Sequence, residues 1–180
     1  LGIYVDAVYS NIPQHNGTTL LLTSIFYSIQ IYADFAGYSL MAIASGKLFG
    51  IDLQTNFLRP YFAKTVTEFW RRWHISLTTW FRDYIYFPLG GSRCGKTRWM
   101  LNTMIVFLVS GLWHGANYTF ILWGALHGIC MVAERLIYGN RIKSIPVKFS
   151  AGNLLRIIIT FIIVNFAWIF FRIENLGYVM

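Results

Sequence analysis

Charge is what this sequence has least of. Only 12% of its 180 residues are charged and 56% are hydrophobic, whereas about 25% charged residues is usual in soluble domains. With a mean hydropathy of +0.51, that balance excludes an ordinary soluble domain and points to a membrane protein. Cysteine is scarce too. Cys94 in a basic loop and Cys130 in an apolar segment suggest neither a metal knuckle nor a structural disulfide. His74, His114 and His127 lack the short paired spacings of zinc or iron motifs, so no metal is expected. No serine sits in a nucleophile elbow: Ser110-Gly-Leu-Trp lacks the pattern and Ser76 falls within a helical stretch. The net charge of +8 is spread among membrane-length apolar runs rather than along a stripe or finger, so nucleic acid is not an expected partner. The chain begins at Leu1, has no charged leader and ends without a polar tail, so it is expected to be a fragment of a longer protein.

Lysine and arginine are missing altogether before Lys47. Nine of the fifteen then lie between Lys47 and Arg98 and four between Arg135 and Lys148, with Arg156 and Arg172 near the ends of the last span. Because basic short loops stay cytoplasmic, the first long helix should enter from the outside. The apolar pattern predicts membrane helix at 18–50, tilted or broken near Gly37 because it exceeds the roughly twenty residues a span needs. An amphipathic or buried helix follows at 64–87, ended by Pro88 and Gly90-Gly91. A short helical pair at 100–136 has both outer ends facing the cytoplasm, and a last membrane helix runs over 154–172. Gly115 and Asn117 place a turn at His114 within the membrane zone, where irregular backbone is tolerated only inside protein or along a cavity. The fold class expected is an all-α, polytopic membrane bundle.

Read as one helix, Thr65 to Gly91 aligns Glu68, Arg72, Ser76, Thr79 and Asp83 at three- and four-residue steps, with Arg71, His74 and Thr78 beside them. Two readings stand: a helix on the cytoplasmic surface meeting lipid headgroups, or one whose polar side faces an internal funnel. In the second, the cationic groups Arg71, Arg72, Arg93, Lys96 and Arg98 would hold an anionic donor, and His74 would meet a reacting group. His114 is read either as a neutral histidine bonded to a carbonyl or as a general base accepting a hydroxyl proton. His127 is read first as core and second as support for His114. Gln30, Asp34 and Tyr38 share one helix face, where Asp34 should pair with an arginine or accept hydrogen bonds. Asn165 should hold the last span to its neighbours. An ion- or proton-translocating segment is the rival class, but no inverted repeat of broken helices is visible.

Three long stretches carry a resemblance: QIYADFAGYSLMAIASGKLFG at 30–50, NFLRPYFAKTVTEFWRRWHISLTTWFRDYIYFPLGGSR at 56–93 and LNTMIVFLVSGLWHGANYTFILWGALHG at 101–128. The sequence resembles the membrane-bound O-acyltransferase family, in its bacterial alginate and peptidoglycan O-acetyltransferase branch. The resemblance implies a helical bundle with a central tunnel in the bacterial cytoplasmic membrane, of which this chain holds the catalytic middle. It implies that His114 matches the family's histidine deep in the tunnel and His74 its second polar position. It further implies that an acetyl group passes from a cytoplasmic thioester, acetyl-coenzyme A, to a polysaccharide hydroxyl at the far face, with a periplasmic or extracellular partner finishing the transfer and no tightly bound cofactor. Leu40 stands where close relatives often carry Asp, so no carboxylate role carries over there. The lipoteichoic acid D-alanylation proteins resemble the same region and imply the alternative, a donor thioester on a small carrier protein.

Overall fold

Backbone in a bilayer has no water to bond to, so spanning segments must satisfy themselves as helices or closed barrels. In the computed structural model, which describes residues 1–139 and 150–173, all regular structure is helical. A short α1 (Gly2–Tyr9) and a 3-10 turn (Ile12–Gln14) lead into α2 (Gly17–Leu48). Asn16 caps α2 by accepting the Thr19 N–H at 2.9 Å. After an extended stretch come a 3-10 turn at Pro60–Phe62, α3 (Val66–Trp70), α4 (Ile75–Phe81) and a π-helical turn at Arg82–Tyr86. The antiparallel pair α5 (Lys96–His114) and α6 (Tyr118–Tyr138) follows, and α7 (Ala151–Arg172) closes the described chain. By length and composition α2, α6 and α7 can each cross a membrane, so the chain is a helical membrane protein. Arg141, Lys143 and Lys148 of the second basic group lie outside the described residues.

Three boundaries differ from the sequence expectation. Helix α2 runs through Gly37 without interruption, because one glycine costs a helix only about 1 kcal/mol. Helix α5 starts at Lys96 and has 19 residues, longer than the apolar run alone, because polar residues continue the helix beyond it. The stretch 64–87 is not one helix. It breaks at 71–74, with His74 in the left-handed region (φ 45°, ψ 55°), and the polar faces drawn across it therefore do not align.

That break is held from outside. The extended segment after α2 lies against it: Leu58 N–H donates to Arg72 O at 2.9 Å and Ile75 N–H to Asn56 O at 3.0 Å. Helix α3 is anchored at its start by Glu134 of α6, which accepts from the Thr67 N–H (2.9 Å) and hydroxyl (2.8 Å) and from the Val66 N–H. Thr65 caps the Glu68 N–H at 3.0 Å, and Glu68 accepts the Lys64 N–H at 2.8 Å. The exposed amides at the start of a helix are thus occupied by carboxylate and hydroxyl oxygens. Short as it is, α3 then sets Phe69, Trp70 and Trp73 into the buried core with Trp123 and Trp168.

Helices α2 and α7 are joined by Asn165, as expected of a polar residue in an apolar span. Its Nδ2 donates to Ser28 Oγ (2.8 Å) and Ser24 O (3.0 Å), and its Oδ1 accepts from Ser24 Oγ (2.9 Å). Asp34 behaves differently. It is exposed on α2, and no described residue bonds to it.

Helices α5 and α6 meet backbone to backbone. A Cβ on Gly124 would collide with the Phe107 carbonyl, and one on Gly111 with the Phe120 carbonyl. Both obstacles are main-chain atoms in helices, so relief requires the helices to part. Gly124→Ala is expected to cost about 1–3 kcal/mol by overpacking, seen as a lower unfolding temperature of the detergent-extracted full-length protein. Gly17→Ala, which meets no atom within 4 Å, should leave that temperature in place.

Candidate functional site

The left-handed turn puts His74 between α2 and α4. Its imidazole stands edge-on to Phe35, with centroids 4.6 Å apart, and its Nδ1 lies 3.3 Å from Asn56 Oδ1 and 3.3 Å from Ser76 Oγ. The residue lies outside the spanning helices. Burial, helped by the neighbouring His114, lowers its pKa from 6.5 to about 4, because the charged form loses hydration and meets a second imidazole. An unfolded chain takes up this proton near 6.5 and the native one only near 4. The group's contribution to stability is therefore complete above pH 6.5 and is lost as the pH falls through that window toward 4.

His114 is the last residue of α5, and Gly115 leaves the helix in extended backbone. Asn117 caps the first turn of α6, its Oδ1 accepting the Thr119 N–H at 3.2 Å. The His114 ring is walled by aromatic rings: Trp113 at 4.9 Å, Phe171 at 5.0 Å and Trp123 at 5.2 Å between centroids. It is only partly buried, and no described residue hydrogen-bonds to either nitrogen. His127 is different, being 1% exposed and accepting the Trp70 Nε1–H on Nδ1 at 3.2 Å. Its environment is the tryptophan core, and it is separated from His114 by Trp123, whose ring touches both.

A cavity of about 660 Å³ opens between α3, α4, α5 and the end of α6, with no histidine among its described lining residues; its size falls within the roughly 300–1,000 Å³ of small-molecule sites. Arg71, Arg82 and Arg135 line it together with Thr67, Thr78, Ser92, Thr103 and Ser110, and among the described residues no carboxylate does. Arg82 is paired with Asp83 at 2.8 Å, so it is Arg71 and Arg135 that favour an anion in this lining. Arg135 lies over the Trp99 ring at 4.3 Å, a cation–π contact that fixes its guanidinium at the cavity wall. Ser110 leads to the histidine: His114 is four residues further on the same face of α5, about 6 Å along the axis.

Of the five cationic residues taken from sequence as donor contacts, Arg71 lines this cavity. Arg72 points elsewhere, paired with Glu68 and donating to Arg59 O at 3.5 Å. Arg93, Lys96 and Arg98 are exposed in and after the glycine loop; Arg98 donates to Leu89 O at 3.3 Å. The same loop is pinned by buried Asn102, whose Nδ2 donates to Leu89 O (3.0 Å) and Gly91 O (3.2 Å). Arg82, Arg135 and Asn56 had not been singled out. For Arg135 the sequence does carry a signal, a base at the end of an apolar run.

This architecture can be set beside known proteins. The family model for MBOAT, the membrane-bound O-acyltransferase family, matches residues 3–180. A probable alginate O-acetylase AlgI of Pseudomonas syringae pv. tomato is 46% identical over 155 residues, covering 86% of this chain and 29% of the relative. A peptidoglycan O-acetyltransferase of Helicobacter pylori is 45% identical over 155 residues, with the same 86% and 29% shares. A teichoic acid D-alanyltransferase of Bacillus subtilis is 32% identical over 161 residues, 84% of this chain and 40% of the relative. The chain thus spans less than a third of the length of the first two. With a family match running almost from end to end, the chain belongs to the membrane-bound O-acyltransferase family.

Proposed function

We propose that the complete protein moves an acetyl group from acetyl-coenzyme A on the cytoplasmic side of a bacterial inner membrane to hydroxyls of an exported polysaccharide, using His114 and His74. The observation that carries this is the arginine-lined cavity, with no carboxylate among its described lining residues, whose Ser110 wall lies one helical turn from His114. An anionic donor held there would lie about one helical turn from the proton acceptor. In the reaction, the acceptor oxygen attacks the thioester carbonyl carbon, His114 takes the hydroxyl proton, the carbon–sulfur bond breaks and the sulfur leaves as thiolate. Positioned acid–base help of this kind is worth about 10²- to 10⁴-fold. Alginate, peptidoglycan or another exopolysaccharide is the final acceptor, reached through a periplasmic or extracellular acetyltransferase partner. The similarity to proteins named alginate O-acetylase and peptidoglycan O-acetyltransferase at 45–46% identity supports this reading over D-alanyl transfer.

The 32% identity to a teichoic acid D-alanyltransferase supports the second reading, in which an acyl carrier protein delivers the thioester. Calorimetry on the purified full-length protein in nanodiscs separates them. Saturable binding of acetyl-coenzyme A, weakened by added salt, is the expected result. Binding of none, together with acylation from a carrier-protein thioester, would replace the first reading by the second.

A further inference from the structure

Asn56 sits in the extended stretch beyond α2, and its side chain meets four groups, one on α2 and three at the break. Its Oδ1 accepts the Ser76 backbone N–H at 3.0 Å and the Ser76 hydroxyl at 2.9 Å, while its Nδ2 faces Ser39 Oγ at 3.4 Å. A backbone amide can only donate, so the Asn56 atom facing Ser76 is the carbonyl oxygen and the orientation of the side-chain amide is fixed. His74 Nδ1 lies 3.3 Å from that same oxygen. A carbonyl oxygen can only accept, so Nδ1 must carry the hydrogen. The Ser76 hydroxyl, also 3.3 Å from Nδ1, has given its own hydrogen to Asn56 and presents a lone pair, which makes the same demand. A neutral imidazole has one N–H.

We infer that Asn56 is a positioning residue that locks His74 in the Nδ1–H tautomer, so that His74 meets the acyl-transfer reactants through a bare Nε2, as a hydrogen-bond acceptor. The inference rests on the proposed acyl-transfer reading for the part His74 plays. It also decides between two roles open to a histidine that meets a reacting group, orienting a reactant or stabilising an oxyanion. Stabilising an oxyanion takes a donor, and a bare Nε2 has no hydrogen to give. His74 therefore orients a reactant by accepting a hydrogen bond from a hydroxyl or N–H other than the proton His114 removes. Among the described residues the one titratable group acting on His74 is His114; Phe35, Asn56 and Ser76, which touch its ring, are uncharged.

Nitrogen NMR of full-length protein labelled with ¹⁵N-histidine, in nanodiscs at pH 7, tests the tautomer, with His74→Ala identifying its signals. A protonated-type shift at Nδ1 and an unprotonated-type shift at Nε2 are expected; a proton on Nε2 would overturn the inference. Asn56→Ala should lower kcat about 10- to 100-fold, by analogy with the cost of losing a residue that orients a metal-ligating histidine, with KM for the donor little changed. Because that variant also loses the bond to the Ser76 amide, Asn56→Asp is the decisive partner. It keeps the acceptor, should recover most of the lost turnover at neutral pH, and should move the His74 titration followed by NMR upward from about 4, since a carboxylate favours the imidazolium. No upward movement in a folded Asn56→Asp protein would contradict the contact. An Nδ1–H signal together with wild-type turnover in His74→Ala would leave the tautomer standing and remove the role built on the acyl-transfer reading.

Discussion

Replacing His114 with alanine is expected to lower acetyl turnover of the full-length protein by at least about 10²-fold, the lower bound for losing positioned base catalysis. The loss should fall on kcat, because His114 is absent from the residues lining the arginine cavity and donor binding should survive. The substitution also removes a ring packed among Trp113, Trp123 and Phe171, so folding must be measured beside activity. His114→Gln keeps much of the volume and a hydrogen-bonding end but cannot take up the proton. Both variants should fold and both should be slow; near-wild-type turnover in either would reject the assignment of His114 as base.

The second large effect is expected at the cavity and in the opposite kinetic constant. Removing Arg71 or Arg135 takes away a hydrogen-bonding charge facing an anionic donor, and such bonds are worth about 1.5–3 kcal/mol, or roughly 10- to 100-fold in KM. Turnover at saturating donor should change little. Arg135→Lys should not restore affinity, because the guanidinium that lies over Trp99 at 4.3 Å is planar and an ammonium is not. Arg72→Ala is the contrast. That side chain is engaged with Glu68 and Arg59 O, so it should leave the donor KM unchanged. Michaelis analysis with varied thioester at fixed low ionic strength checks all three.

Features encoded by local contrast were legible in the sequence. Asn165 stood out in an apolar run and bonds Ser24 and Ser28; Gly115 and Asn117 marked the turn that leaves His114 at a helix end. Features that depend on distant partners were not. Nothing near His74 announces a break, since Arg-Arg-Trp-His-Ile contains neither glycine nor proline, and the turn exists because Asn56 and Leu58 bond to it from eighteen and fourteen residues away along the chain. Glu134 reaches Thr67 across 67 residues, and in sequence it was one acid beside one base. Periodicity assumed an unbroken helix and so joined Glu68, Arg72 and Ser76 to Asp83 on a single face. Once the chain turns at 71–74, Arg71 goes to the cavity and Arg72 to an internal ion pair. Charge counting had gathered Arg93, Lys96 and Arg98 with them, yet the arginine that completes the cavity is Arg135, contributed by the far end of α6.

We propose that the complete protein passes an acyl group from one face of the membrane to the other by way of His114. Full-length protein reconstituted in one orientation into sealed vesicles, with labelled acetyl-coenzyme A on one side and the acceptor system on the other, tests it most directly. Label should reach the acceptor when donor is supplied on the side of the basic Lys47–Arg98 region, and His114→Ala vesicles should transfer at least about 10²-fold less. Equal transfer by His114→Ala, or transfer only when donor is supplied from the opposite face, would contradict the account.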